Sequence, residues 1–275
     1  MTMMVSTIMK EQSLESHMQK LLPNGKGVWV PIDHGASDFP LEGLVQIEQT
    51  IQALIDAGVD AIIAQKGVVS AFSNLCEGTT TSMIAHLSVS TVHGGKDASK
   101  KVLVGSVQES IERGAQAVSC QINMGSDGEA QMIESMGKIT SEAFNLNIPV
   151  LGMVYARGEH LKVHADDGTK GQAHAVRLAF ELGCQVAKSP WFEDEHTFHQ
   201  IVRAAPIPVL IAGGPRGQSD MEVLHMVEAA MARGAAGVCM GRQIFSHPHP
   251  QKMATAIMSI VHQGVSASDA ATLLF

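Results

Sequence analysis

Apolar positions along this chain fall into a repeated unit: a stripe at helical spacing, a glycine, then a short run too apolar to face water on either side. Four segments carry it: Asp56-Ala-Gly-Val-Asp-Ala-Ile-Ile-Ala-Gln-Lys-Gly67, Glu112-Arg-Gly-Ala-Gln-Ala-Val-Ser-Cys-Gln-Ile-Asn123, Glu181-Leu-Gly-Cys-Gln-Val-Ala-Lys188 and Ala232-Arg-Gly-Ala-Ala-Gly-Val-Cys-Met-Gly-Arg242. Before the first glycine, Leu44, Ile47, Ile51, Leu54 and Ile55 recur at spacings of three and four, which predicts an amphipathic helix. Gly58, Gly114, Gly183 and Gly234 stand where a helix ends and the backbone needs a positive φ. Each unit therefore reads as helix end, turn, buried strand.

Further strands are predicted over Val28–Asp33, Met83–Ser88, Pro149–Tyr155 and Pro208–Gly213. Eight strands alternating with helices, in a chain of 275 residues, match a (β/α)8 TIM barrel, whose usual length is ~250 residues. The chain accordingly divides into a lead-in at 1–26 and a single barrel domain at 27–275. A doubly wound open sheet is the alternative α/β answer, but no Gly-x-Gly-x-x-Gly turn follows Gly35. The polar stretch from Val89 to Lys101 reads as a loop. Val102–Val104 is either a stray short strand or the lead-in to a helix at 107–113.

A formal net charge of −8, with no cluster of Lys or Arg, argues against nucleic acid or an anionic membrane as partner. The Met-rich start lacks a continuous apolar segment and reads as neither signal peptide nor membrane anchor. Cys76, Cys120, Cys184 and Cys239 are widely spaced with no C-x-x-C pair, so disulfide and zinc frameworks are not expected, and a reducing cytoplasm is.

In this fold chemistry sits where strands end. Lys188 lies in an apolar strand, and lysine is rarely buried without a partner or a purpose. Removed from water, an ammonium is expected to lose its proton more easily, giving the amine that attacks a carbonyl. The bland alternative is a strand-end lysine that reaches back to solvent, and Lys66, also at a strand end, is a rival. Asp33, His34, His86, Ser88, Asn123, Tyr155 and Arg157 occupy other strand ends, with His34 and Ser88 candidate substrate-binding groups. His86 equally fits a core histidine satisfied by hydrogen bonds. Asn123–Asp127 equally fits a turn that caps the next helix. His247-Pro-His-Pro250 reads as a surface turn, since proline separates the histidines and no carboxylate is aligned with them. Ala212-Gly-Gly-Pro215 and Gly241-Arg242 offer unobstructed amides after the last two strands, where phosphate sites recur in this fold.

Val30–Gly35, Gln65–Val68, Ala85–Ser88, Ile122–Asp127, Met153–Gly158, Val186–Lys188, Ala212–Pro215 and Gly241–Phe245 occur in the order seen in the archaeal-type class I aldolase family. From about Val28 onward the chain resembles its branch of fructose-1,6-bisphosphate aldolases and 2-amino-3,7-dideoxy-D-threo-hept-6-ulosonate synthases. The resemblance implies a Schiff-base lysine at Lys188, a tyrosine acid/base at Tyr155 and an aspartate at Asp33. It places phosphate on Gly213, Gly214, Gly241 and Arg242. It further implies a phosphorylated ketose and an aldehyde as substrates, no metal or other cofactor, and a ring-built homo-oligomer, often a decamer. Position 153 carries tryptophan in the aldolases and methionine in the synthases. Met153 therefore points to aldol transfer onto an aldehyde such as aspartate semialdehyde, with fructose-1,6-bisphosphate cleavage as the alternative. An autoinducer-2 thiolase-like enzyme, a phosphosugar isomerase and a silent phosphosugar-binding barrel stand further off. Two departures mark the chain: Ala156 replaces the proline common after the tyrosine, and Ser13–Leu22 poorly matches the basic, apolar helical lead-in of the family.

Overall fold

The computed structural model describes residues 13–39, 42–161, 168–213 and 218–275. Eight strands close into a parallel barrel: β1 (Gly27–Pro31), β2 (Ala61–Gln65), β3 (Ser82–His86), β4 (Ala117–Met124), β5 (Val150–Ala156), β6 (Val186–Ser189), β7 (Val209–Ala212) and β8 (Gly237–Cys239). Each pairs with its successor, and β8 returns to β1 with Gly27 opposite Gly237. Helices follow the strands in turn, from Ile47–Asp56 after β1 to Asp220–Ala232 after β7 and Pro250–Met258 after β8.

Successive strand side chains point to opposite faces, so an entirely apolar strand serves two cores at once. Val28, Val30, Ile62, Val118 and Val209 pack outward beneath the helices. Trp29, Ile63, Ile84, Leu151, Val186 and Leu210 fill the barrel interior. Each large side chain buried completely in this way contributes roughly 1.5–3 kcal/mol. The four repeat glycines adopt φ values of 74°, 101°, 91° and 92°, as the helix–glycine–strand pattern requires.

The described part of the lead-in forms a helix, Leu14–Leu21, started by the Ser13 hydroxyl accepting from the Ser16 N–H at 3.2 Å. Its charges face water, while Met18, Leu21 and Leu22 pack on the interior cluster around Trp29. The Trp29 indole N–H donates to the Leu21 carbonyl at 2.8 Å. The weakly matched lead-in thus stops the bottom of the barrel, opposite the strand ends that carry the polar residues.

Two strand ends differ from the sequence reading, and one open alternative is resolved in favour of a short strand. β1 stops at Pro31, so Asp33 precedes a helical turn, His34–Ser37, instead of ending the strand. Lys66 opens the helix Lys66–Phe72 rather than closing β2. Val102–Leu103 is a short strand, paired antiparallel with Ser88–Val89, and the helix after it runs Val107–Glu112.

Candidate active site

Strand alternation sets which polar residues enter the barrel mouth. On β6, Val186 points inward and Lys188, two residues on, shares its side. On β5, Leu151, Met153 and Tyr155 form the same inner file. Asp33 leads out of β1, and His86 ends β3 above Ile84. Lys188 and Tyr155 are half-buried, open only toward the mouth.

The electrostatics join these groups into one centre. Burial works against the Lys188 ammonium, while Cys239, Tyr155 and Asp33 draw it upward, the first two only once they ionise. Burial also raises the Cys239 thiol and the Tyr155 phenol, which leaves both neutral near pH 7 and Asp33 as the anion facing Lys188. Near pH 7 the neutral thiol and phenol bring no charge, so Asp33 alone opposes the burial that favours the amine. For Asp33, burial is opposed by the charges of His86, His34 and Lys188, and its carboxyl falls below the ordinary value. Its oxygens lie 3.7 Å from His86 Nε2 and 3.8 Å from His34 Nδ1.

His86 is only 2% exposed, and burial holds its pKa down against the pull of Asp33. Its Nδ1 lies 2.8 Å from the Ser119 hydroxyl. It is satisfied by hydrogen bonding, as a core histidine would be, and it also faces the carboxylate of the centre. Lys66 lies outside: half-exposed, it pairs with Glu109 at 3.1 Å.

A second polar file belongs to β4, where Ser119, Gln121 and Asn123 alternate on the inner side. Asn123 Oδ1 accepts from Gln121 Nε2 and from Arg157 Nε, each at 2.9 Å, while its amide donates to the Ser99 carbonyl at 2.5 Å. Arg157 is thereby held with its guanidinium carbon 4.6 Å from the centre of the Tyr155 ring, a cation–π contact. The Asn123–Asp127 segment is also a turn, since the Ser126 hydroxyl donates to the Asn123 carbonyl at 2.8 Å. Position 156 has a related consequence. The Ala156 N–H donates to Gln172 Oε1 at 3.5 Å, a bond that the family's proline could not make.

The glycine loops meet on the other side of the mouth. A Cβ on Gly213 would lie 2.2 Å from Gln243 Oε1, and one on Gly241 would lie 2.4 Å from the Pro31 carbonyl and 2.9 Å from His34 Cε1. Gly241 precedes the short helix Arg242–Phe245, and the His34 ring meets Phe245 edge-on at 5.2 Å. Gly213, Gly241, Arg242 and His34 are thus neighbours around β7, β8 and β1; Gly214 lies outside the described residues. Ser88 is placed apart. Its hydroxyl accepts from the Gln121 N–H at 3.0 Å and lies 3.2 Å from Cys120 Sγ, so it ties β3 to β4.

Asn123 and His86 carry more of the site than their strand-end positions suggested, and the signal was the alternation of polar residues along β4 and β3. Among the described residues, one group has metal-ligand spacing: Asp127, Glu159 and His160, all exposed, with ligand atoms within 4.8 Å of one another. There His160 Nε2 already pairs with Asp127 at 2.7 Å. His247 and His249 sit in a turn at which His247 pairs with Asp220 at 3.3 Å. No helix among the described residues is long and apolar enough to cross a membrane.

The chain matches the DeoC/LacD family aldolase over residues 28–247. It is 38% identical over 245 residues to 2-amino-3,7-dideoxy-D-threo-hept-6-ulosonate synthase 1 of Archaeoglobus fulgidus, with 89% of each chain covered. It is 37% identical over 233 residues to 2-amino-4,5-dihydroxy-6-oxo-7-(phosphonooxy)heptanoate synthase of Streptomyces griseus, covering 85% of this chain and 84% of that one. Among solved structures, an archaeal fructose-1,6-bisphosphate aldolase, its catalytic lysine covalently bound to the carbinolamine intermediate, superimposes with a TM-score of 0.80. Its identity to this chain is 27%, with 90% of this chain and 99% of that one covered. A closed barrel with a lysine deep in its mouth, and relatives that make or break carbon–carbon bonds, lead to one assignment: the chain belongs to the DeoC/LacD family of aldolases.

Proposed function

We propose that this chain is a Schiff-base aldol synthase that takes a carbon fragment from a phosphorylated ketose and transfers it to an aldehyde such as aspartate semialdehyde. The observation that carries this reading is the placement of Lys188 inside the barrel mouth, against Asp33 and beside Tyr155. An isomerase or a silent sugar-phosphate binder has no use for a lysine held there. Two synthases at 37% and 38% identity, one named for a phosphonooxy product, support the same direction.

The steps follow from the side chains. Lys188 enters the reaction as its amine, having shed a proton to solvent, while Asp33, whose carboxyl is held below its ordinary value, stays the adjacent anion. The amine lone pair attacks the ketone carbon, and the former carbonyl oxygen takes a proton to give a carbinolamine. Tyr155, kept a phenol by burial, protonates the carbinolamine hydroxyl, which leaves as water and yields an iminium. The Tyr155 phenolate left by that step takes the proton of the substrate hydroxyl, and the carbon–carbon bond breaks, its electrons moving into the enamine as the first aldehyde departs. The enamine then attacks the acceptor aldehyde, Tyr155 protonates the new alkoxide, and water releases the product from Lys188. Each positioned proton donor or acceptor of this kind typically contributes ~10²–10⁴-fold. Gly213, Gly214, Gly241 and Arg242 hold the ketose phosphate, with His34 beside them.

Met153 selects the acceptor in this reading. It is 3% exposed and packs in the inner file with Tyr155, where a thioether leaves more room beside the imine than an indole. Turnover of aspartate semialdehyde should therefore exceed fructose-1,6-bisphosphate cleavage. Comparing kcat/KM for the two reactions checks this, and efficient cleavage with no use of the semialdehyde would reverse the assignment.

The four cysteines are free and buried, which supports a reducing cytoplasmic setting. The family resemblance supports a ring-built homo-oligomer, taken here as a decamer, to be checked by sedimentation velocity. A monodisperse monomer would refute it.

A further inference from the structure

A cavity of about 410 Å³ opens beside the imine centre on the side away from the glycine loops. Its walls carry both signs of charge. Lys101 and Arg157 line it with Asn123 on the side of Tyr155, while Asp127 and Glu159 line the outer side together with the exposed Lys96.

The cationic wall is the part that meets the catalytic groups. Arg157 spans the cavity and the Tyr155 ring. The half-buried Lys101 ammonium is destabilised first by burial and then by Arg157, and it feels the charge of Asp33. Two adjacent cations, with no carboxylate in salt-bridge range among the described residues, form a receptor for an anion. Arg157 presents a planar fork of the kind that suits a carboxylate.

The acidic wall is fixed in place by backbone. The Gly158 N–H donates to the Met124 carbonyl and the His160 N–H to the Gly125 carbonyl, each at 2.8 Å. A Cβ on Gly158 would lie 1.9 Å from the Gly125 carbonyl carbon, so the loops after β4 and β5 touch main chain to main chain. Asp127 and Glu159 flank that seam. His160 Nε2 lies 2.7 Å from Asp127 Oδ1 and 3.9 Å from Glu159 Oε1, which leaves the second oxygen of each carboxylate for a ligand.

We propose that this cavity is the acceptor subsite and binds the α-amino acid end of an amino-acid aldehyde, with Lys101 and Arg157 on the carboxylate and Asp127 and Glu159 on the ammonium. The proposal rests on the aldol-synthase reading and adds to it the residues that recognise the acceptor. A phosphorylated aldehyde carries only negative charge and would leave Asp127 and Glu159 without a partner, with Lys96 the one further cation in the lining.

Two measurements separate this subsite from the chemistry. In the first, calorimetry follows L-homoserine, an unreactive alcohol in place of the aldehyde, against 4-hydroxybutyrate, which lacks the ammonium. L-homoserine should bind more tightly, and the double variant Asp127→Asn/Glu159→Gln should remove that preference, a loss of about 10- to 100-fold for a charge-assisted contact. Lys101→Met should weaken both ligands. This binding requires no imine, so it should survive Lys188→Met even if the aldol reading fails.

In the second, the ratio of kcat/KM for aspartate semialdehyde over succinic semialdehyde should fall in the same double variant. Equal binding of the two alcohols, or a ratio left unchanged by the double variant, would overturn the proposal. So would a preference for glyceraldehyde 3-phosphate that depends on Lys101 and Arg157 but not on Asp127 and Glu159, since the cavity would then be a phosphate site.

Discussion

Lys188→Met should lower turnover by ~10⁴-fold or more and eliminate the mass that borohydride adds to the protein in the presence of a phosphorylated ketose. The reason is chemical, since without a nitrogen at this point no iminium can form and no alternative electron sink faces the substrate. Methionine keeps much of the lysine's length, so the barrel interior stays filled. Lys66→Met is the informative control. Lys66 is an exposed partner of Glu109, a pairing worth ~0–1 kcal/mol, and its loss should leave both turnover and trapping in place. Mass spectrometry of the trapped peptide decides between the two lysines. Label on the peptide containing Lys66, with Lys188→Met still active, would move the centre to the rim and sink the mechanism.

Tyr155→Phe should lower turnover by ~10²–10⁴-fold and slow borohydride trapping in step, while the ketose still binds. The substitution keeps the ring that Arg157 covers at 4.6 Å and removes only the hydroxyl, so Arg157 and Asn123 stay in position. A packing role and a proton-transfer role then give different results. The packing role predicts little change, because a phenylalanine fills the same inner file. The proton role predicts slow dehydration of the carbinolamine, seen as a fall in kcat with the KM for ketose nearly unchanged. Full activity in Tyr155→Phe would assign the acid/base work to another group, with Asp33 and His86 the nearest candidates.

The barrel was legible because its signal is local. A helix that ends on a glycine and a strand buried on both faces are each written within about a dozen residues, so the four repeats announced their own geometry. The inward aim of Lys188 was legible for the same reason. Its preferred protonation state was not, because that depends on Asp33, Tyr155 and Cys239, which only barrel closure brings to it from β1, β5 and β8. The polar file of β4 was hidden for a related reason: Ser119, Gln121 and Asn123 look like interruptions of an apolar run until the strand has an inside. The packing of the lead-in was not legible from composition. Few apolar residues suffice at Ser13–Leu22 because one helical face alone needs them. Ser88, expected as a substrate-binding group, has its hydroxyl accepting from the Gln121 N–H of β4, a contact that only the folded barrel supplies.

The helix Leu14–Leu21 has a consequence for the order of events. With Met18, Leu21 and Leu22 seated against Trp29, the barrel is a blind tube with one door. Donor and acceptor share that door, and the aldehyde released from the ketose leaves by the path along which the second aldehyde arrives. In the proposed reaction the enzyme would therefore have to wait, holding its fragment as an enamine on Lys188, for the traffic to reverse. During that wait the fragment is exposed to whichever partner comes first, water-borne protons included. Fidelity in such a machine is a property of the queue at the mouth as much as of the bond being made below it.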